Sequence, residues 1–429
     1  MIPNRRDAMA CIAGALGTTA MARIASGEDV PPSKGAAGTV ILVTEYGAKG
    51  DGKTDDTLAF KKTLRAADNA GGAIVFIPPG RYRITQPLKI PKGVTLEGTQ
   101  HSAPPRDPTG SVILANVTPG DADGPPFITL DKRSALSGLC ITYPEQNDPK
   151  NIKPFPWCVH SIDDNASITN CLLHNPYRGV DFGTAVSGRH YIDGLYGQPL
   201  KEGLYIDRCL DVGRVRNVHF WPFWDFKARW FMETQGTAFT IGKTDWQYID
   251  FCFCIWYKVG FHFVSRKYGP GNSIILNSGS DIGPTAVLVD QAQPHSGISF
   301  VNCQFMSGIE VSEANMGPMK FTSCGFWGVN EKHYPPCSYH AKLAGSGQVS
   351  FDGCHFTMWD LEKKGVPCID ANCQGIAVRN CDFVEADKQQ IRIGPDVQSA
   401  IITSNRLRGG AKIDAPENRN FAIGMNSPV

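Results

Sequence analysis

ISFVNCQF, residues 298–305, places apolar side chains alternately at Ile298 and Phe300, breaks at Asn302, and resumes the alternation at Cys303 and Phe305. Alternation with a period of two is the pattern of a short β-strand. The break falls on a residue type that tolerates left-handed backbone angles, so it reads as a tight turn between two strands. The pattern returns as MKFTSCGF (319–326), VSFDGCHF (349–356) and IAVRNCDF (376–383), upstream as SITNCLLH (167–174), and more loosely as VRNVHF (215–220) and IITSNRL (401–407).

Taking the residue after the turn as the marker gives Cys171, Leu195, Val218, Phe251, Ser278, Cys303, Cys324, Cys354, Cys381 and Arg406. The mean step is about 26 residues, inside the range that signals a solenoid. Between copies lies a simpler strand, usually led by Gly, as in GVDF (179–182), GLYI (203–206) and GFHF (260–263). Three strands per turn, stacked so that neighbouring coils bury a column none could bury alone, predict an all-β, right-handed parallel β-helix of about ten or more coils.

Composition agrees. The 429 residues are 42% apolar, with 45 Gly and 30 Pro, as a turn-rich β protein requires. The net charge of +1 gives nothing that favours nucleic acid or an anionic membrane as a partner. Of 14 cysteines, five (Cys171, Cys303, Cys324, Cys354, Cys381) take the same repeat position. Their Cβ vectors would be parallel, a poor geometry for bridging, so a ladder of buried thiols is expected rather than disulfides or a metal site.

Residues 1–22 read as an export signal of twin-arginine type. Arg5-Arg6 precede an uncharged run that ends in Ala20-Met21-Ala22, a small-residue cleavage site. That run is too short to span a membrane, and no later segment qualifies. The localisation expected is periplasmic or extracellular. Residues 23–38 read as a linker, 39–130 as the N-terminal cap and first coils, 131–415 as the β-helix, and 416–429 as a tail. Thr54 or Asp55 should cap a helix carrying Phe60, Leu64 and Ala67 on one face, ended by Gly71-Gly72 and plugging the solenoid.

The stretch TEYGAKGDGKTDDT (44–57), followed by IVFIPPG (74–80), Arg81-Tyr82-Arg83 and VTLEG (94–98), resembles the N-terminal segment of the pectate lyase superfamily, of the rhamnogalacturonase and epimerase type. The resemblance implies a polysaccharide or oligosaccharide substrate and a groove along the sheet of first strands, walled by the loops that lead into it. Three such loops are long: residues 143–157, 221–235 and 327–340. The second, WPFWDFKARWFMETQ, carries Trp221, Trp224 and Trp230, expected to stack on sugars rather than to form a core for the loop.

Alternation turns Val180, Phe182, Leu204 and Ile206 inward, leaving Asp181, Tyr205 and Asp207 outside, with Thr240, His262 and Glu310. Arg178, Glu202 and Lys258 stand where these strands begin. The candidate catalytic groups are therefore Asp181, Asp207, Glu202, Arg178, Lys258, His262 and Asp245, with Tyr205, Trp221, Trp224, Trp230, Lys243 and Trp246 as substrate contacts. Asp181 and Asp207 should lie roughly 8 Å apart, within the gap of about 6.5–9.5 Å used by inverting glycosidases. A lyase acting on uronates would instead use a basic residue, with carboxylates holding Ca²⁺. Metal use otherwise stays open. The polygalacturonase motifs (Asn-Thr-Asp, Asp-Asp, Gly-His-Gly, Arg-Ile-Lys) are absent at the matching strand starts. Hydrolase, lyase and a non-catalytic carbohydrate-binding or surface-structural β-helix remain open, as does the oligomeric state, a trimer among the options.

Overall fold

The structure, a computed structural model, describes residues 40–429 apart from 105, 331–336, 418, 420 and 429. The expected export signal and linker lie outside the described residues. From Val40 onward the chain winds as a parallel β-helix. Its first strands form one ladder of 13, from Leu88–Ile90 to Ile413–Asp414. Its second and third strands join across a corner into a 27-stranded sheet. All the pairings between strands are parallel, as Ile298–Val301 with Met319–Thr322 and Gln304–Phe305 with Gly325–Phe326 illustrate.

The corner is the turn read from the sequence. Gly138, Asn170, Gly194, Asn217, Phe251, Asn277, Asn302, Ser323, Gly353, Asn380 and Ser404 all have φ between 48° and 75°. Asn and Gly enter this left-handed region at the least cost. Two repeat markers slip by one residue. Phe251 is itself the corner, so Cys252 follows it, and Ser404 precedes Asn405. The corner asparagines face solvent, and their amides run along the stack: Asn302 Nδ2 donates to Asn277 Oδ1 (2.9 Å) and Asn277 Nδ2 to Asp250 Oδ1 (3.0 Å).

Inside, like residues stack in register. The rings of Phe300, Phe321 and Phe351 lie 5.1 and 5.0 Å apart, nearly parallel, and Phe326, Phe356 and Phe383 repeat the arrangement at 4.9 and 4.7 Å. All 13 described cysteines are buried and free. Burial pushes the Cys171 and Cys252 thiols up to about 12, so they behave as small apolar side chains.

The helix Thr57–Asn69 buries Phe60, Leu64 and Ala67 against the first strands. Asp55 accepts from the backbone and hydroxyl of Thr57, whereas Asp56 grips the Lys49 and Gly50 amides (2.7 and 3.1 Å). Both carboxylates hold the cap together. At the other end, Ala422–Gly424 pairs with Ser399–Thr403 and Ser427–Pro428 with Arg406–Leu407. The segment expected to be a tail therefore continues the coils. Nor does the ladder break near residue 130, because Leu88–Ile90, Ile128–Leu130 and Trp157–Ser161 pair in sequence. Among the described residues no helix is long and apolar enough to cross a membrane.

Candidate active site

Five consecutive first strands bring His160, Asp181, Tyr205, Thr240 and His262 into one register row on the outside of the sheet. Their neighbours on either side, such as Val180, Phe182, Leu204 and Ile206, are buried in the column. Where the strands begin, Trp157, Arg178, Glu202 and Thr237 form a second row. These two rows hold five of the residues picked out from the sequence: Arg178, Asp181, Glu202, Tyr205 and His262.

The two aspartates differ from expectation. They point away from the core, yet Asp181 is only 1% exposed and Asp207 3%. Asp181 Oδ1 accepts from the amides of Gly183 (2.9 Å) and Thr184 (2.8 Å), and Oδ2 lies 2.9 Å from His160 Nδ1. Burial alone would raise its pKa, but the bonds from His160 and Thr184 outweigh that and hold the carboxyl below the ordinary 3.8. Asp207 Oδ1 accepts from the amides of Arg208 (2.8 Å) and Lys243 (2.7 Å), and Oδ2 from the Tyr205 hydroxyl (2.9 Å). A Cβ on Gly242 would come within 2.7 Å of this carboxyl carbon, so only a glycine lets the next coil approach so closely. Rings finish the cover. Trp157 and Tyr205 belong to coils on either side of Asp181, and they stack at 6.3 Å. With every oxygen facing an N–H or O–H donor, neither aspartate suits an acid–nucleophile pair or a Ca²⁺ ligand set. Among the described residues no group of three or more His, Cys, Asp or Glu is gathered to hold a metal ion.

What the two rows do present is an imidazole and a second carboxyl group. An ionised Asp181 fixes the proton on His160 Nδ1 and leaves Nε2 as the acceptor. The His160 side chain keeps 13% of its surface exposed. Glu202 lies one coil to the other side of Asp181 and is half-buried. Desolvation raises its pKa above 4.5, helped by the charge of Asp181 and opposed by the Thr240 hydroxyl, Arg266 and Arg178. Two guanidinium groups flank the pair: Arg178 lies 5.6 Å from the Trp157 ring and Arg266 4.5 Å from the Tyr205 ring. Arg178 Nη1 donates to Ala122 O and Asp123 Oδ1, while its buried Nε has no partner.

The remaining residues scatter. His262 pairs with Asp290 (3.1 Å), and Lys258 is exposed at its strand start. Lys243 pairs with Asp245 (3.4 Å), and its backbone ties it to Asp207, so it borders the site beside an exposed Trp246. The tryptophan loop mostly folds back, contrary to expectation. Phe223 is buried in an outer cluster with Val112, Leu114, Cys140 and Leu172, and Trp221 packs on that cluster. Trp224 packs on the main core, and Trp230 alone of the three tryptophans projects, 62% exposed. Apolar rings that can reach an uncovered sheet bury themselves before they wait for a ligand.

Sequence reading missed His160, Trp157 and Arg266. The strand Trp157–Ser161 lacks the leading glycine that marked its successors, although the alternation of Val159, His160 and Ser161 was there to be found. Arg266 lies in a connection with no periodicity.

Residues 40–121 match the family described as rhamnogalacturonase A/epimerase, pectate lyase-like. Alginate lyase 7 of Azotobacter vinelandii is 54% identical over 43 residues, 10% of this chain and 5% of the relative, so the match spans about a twentieth of that protein. Among solved structures, the N-terminal fragment of bacteriophage Phi29 gene product 12 is similar over 90% of this chain and 70% of its own, with a TM-score of 0.58 at 14% identity. The A-module of the mannuronan C-5 epimerase AlgE4 of Azotobacter vinelandii covers 90% of this chain and 100% of its own, with a TM-score of 0.54 at 13% identity. At such identities the likeness is one of fold.

Proposed function

We propose that this parallel β-helix, whose residues 40–121 match the rhamnogalacturonase A/epimerase, pectate lyase-like family, cleaves a uronate-containing polysaccharide by β-elimination, with the chemistry centred on His160 and Glu202. The observation that carries this reading is that Asp181 is committed to His160 and two turn amides. A buried, ionised carboxylate used this way orients a base; it does not meet substrate.

His160 and Glu202 sit on coils two strand spacings apart, about 10 Å of backbone, with room for one sugar residue between them. His160 Nε2 takes the proton from C5 of a uronate. The charge that develops on its carboxylate is met by Arg178 and Arg266. The C5–H electrons become the C4–C5 double bond as the C4–O4 bond breaks, and Glu202 gives its proton to the departing oxygen. A carboxyl with a raised pKa is suited to that last task. Hydrolysis would need two carboxyl groups open to the glycosidic bond, and the two rows together offer one, Glu202.

A non-catalytic carbohydrate-binding role is the second reading, favoured by the complete engagement of Asp181 and Asp207. Turnover separates the two. Loss of cleavage in His160→Ala and Glu202→Gln, with binding retained, supports the enzyme; a parent that binds polyuronates but never cleaves them supports the binder. We also propose export, on the strength of Arg5-Arg6 and the run that follows. Edman sequencing of protein recovered from the periplasm or medium, starting beyond residue 22, is the expected result; recovery of intact chain in the cytoplasm alone would overturn it.

A further inference from the structure

A second groove lies on another face of the β-helix. It measures about 600 Å³ and runs over the outside of the third strands Phe253–Cys254, Gly279–Ser280 and Gln304–Phe305, as far as Trp327. The outward row here reads His219, Phe253, Gly279, Gln304, Gly325, His355 in register. Gly279 in that row leaves the floor without a side chain, while the Gln304 side chain lies over Gly325. A Cβ on Gly279 would meet the Gln304 carbonyl at 3.0 Å, and one on Gly325 would meet Gln304 Oε1 at 2.4 Å. Phe251 and Phe253 wall one end and Trp327 the other.

Phe251 is the telling residue. Apart from Met425 in the last coil, every other member of the corner series from Gly138 onward is Asn, Gly or Ser, yet here, in the middle of the stack, an aromatic takes φ 53° and stays 50% exposed. A bulky residue held in the left-handed region costs free energy, and so does leaving its ring in water. Such outliers concentrate where a ligand is held. The polar groups are placed to match. Asp281 Oδ1 accepts from the Ile282 amide, and Oδ2 has no partner among the described residues, nor has the side chain of Gln304. No lysine or arginine lines the groove.

We propose that this groove binds a neutral oligosaccharide, whose ring faces stack on Phe251, Phe253 and Trp327 while its hydroxyls donate to Asp281 and exchange bonds with Gln304. A surface with apolar walls, a free carboxylate and no cation suits a polyhydroxylated, uncharged chain and repels a uronate. The site is thus separate in place and in charge preference from the one on the first strands, and it stands whether or not that site is catalytic.

The test is calorimetric titration of the full chain with cello-, manno- and galacto-oligosaccharides, with oligouronates as the charged control. The parent should bind at least one neutral series more tightly than the oligouronates. Phe251→Asn, which installs the residue common at this corner, should weaken that binding about tenfold or more with a melting temperature equal or higher. Trp327→Ala should weaken it likewise. Binding by none of the neutral series, or binding unchanged in both variants, overturns the proposal. So does a concentration-dependent oligomer that Phe251→Asn dissociates in the absence of sugar binding, which would make the face a contact between copies of this chain.

Discussion

Asp181 separates a positioning role from a catalytic or purely structural one, because its two oxygens serve different partners. Replacing it with Ala strands the amides of Gly183 and Thr184 and the Nδ1–H of His160, all in a site that is nearly dry. Each buried donor left without an acceptor costs about 1–3 kcal/mol. Asp181→Ala should therefore unfold at markedly lower urea. Asp181→Asn keeps a carbonyl oxygen for the two turn amides, so its loss of stability should be about 1 kcal/mol. The new amide group, however, offers an N–H to the imidazole. His160 must then accept at Nδ1 and carry its proton on Nε2, where it can no longer take one from substrate. Turnover should fall about a thousandfold or more, as for other bases locked in the wrong tautomer. The assay is paired: urea unfolding for both variants, and the ultraviolet absorbance of unsaturated product on a polyuronate the parent cleaves. Because the folded pKa of Asp181 lies below its unfolded value, its stabilising share is present above the ordinary 3.8 and disappears as pH falls through the folded value. Parent and Asp181→Asn should thus converge in stability in strong acid. An Asp181→Asn protein that turns over at the parent's rate would refute the reasoning.

Glu202 works as a proton donor only while protonated, so turnover should decline as pH rises through its raised pKa; Glu202→Gln should lose about a hundredfold or more of kcat and with it that alkaline limb, measured as kcat against pH. Asn302→Leu should cost about 1–2 kcal/mol through its left-handed backbone and Asn302→Gly only a few tenths, read from denaturant midpoints; equal losses would mean that the side-chain ladder, not the corner conformation, carries the effect. Phe223→Ala should lower stability by about 3–5 kcal/mol with polysaccharide affinity unchanged, since its ring packs on Cys140 and Leu172; the reverse pattern would return the loop to a binding role.

The fold was legible because its two determinants are local. Alternation gives the strands, and a left-handed Asn, Ser or Gly gives the corner. The register slipped where Phe251 occupies the corner, since an aromatic there looks like one more strand residue. The outward row could also be read from alternation, which is why Arg178, Asp181, Glu202, Tyr205 and His262 come together on one sheet. Burial could not be read. Asp181 is covered by rings from coils 24 residues away on either side, at Trp157 and Tyr205, and is saturated by amides of its own turn. Pairing across coils, not distance along the chain, decides whether an outward carboxylate meets water. The tryptophan loop failed for a related reason: the apolar outer patch at Val112, Leu114, Cys140 and Leu172 that receives Phe223 is assembled from three coils.

The central claim is that the first-strand site removes a proton from uronates. Its most direct test is to incubate the protein with a panel of polyuronates and neutral polysaccharides, following ultraviolet absorbance and reducing ends together. The account predicts that both rise in step on a polyuronate and that neither rises in His160→Ala. New reducing ends without the absorbance, on any member of the panel, would show hydrolysis and contradict it.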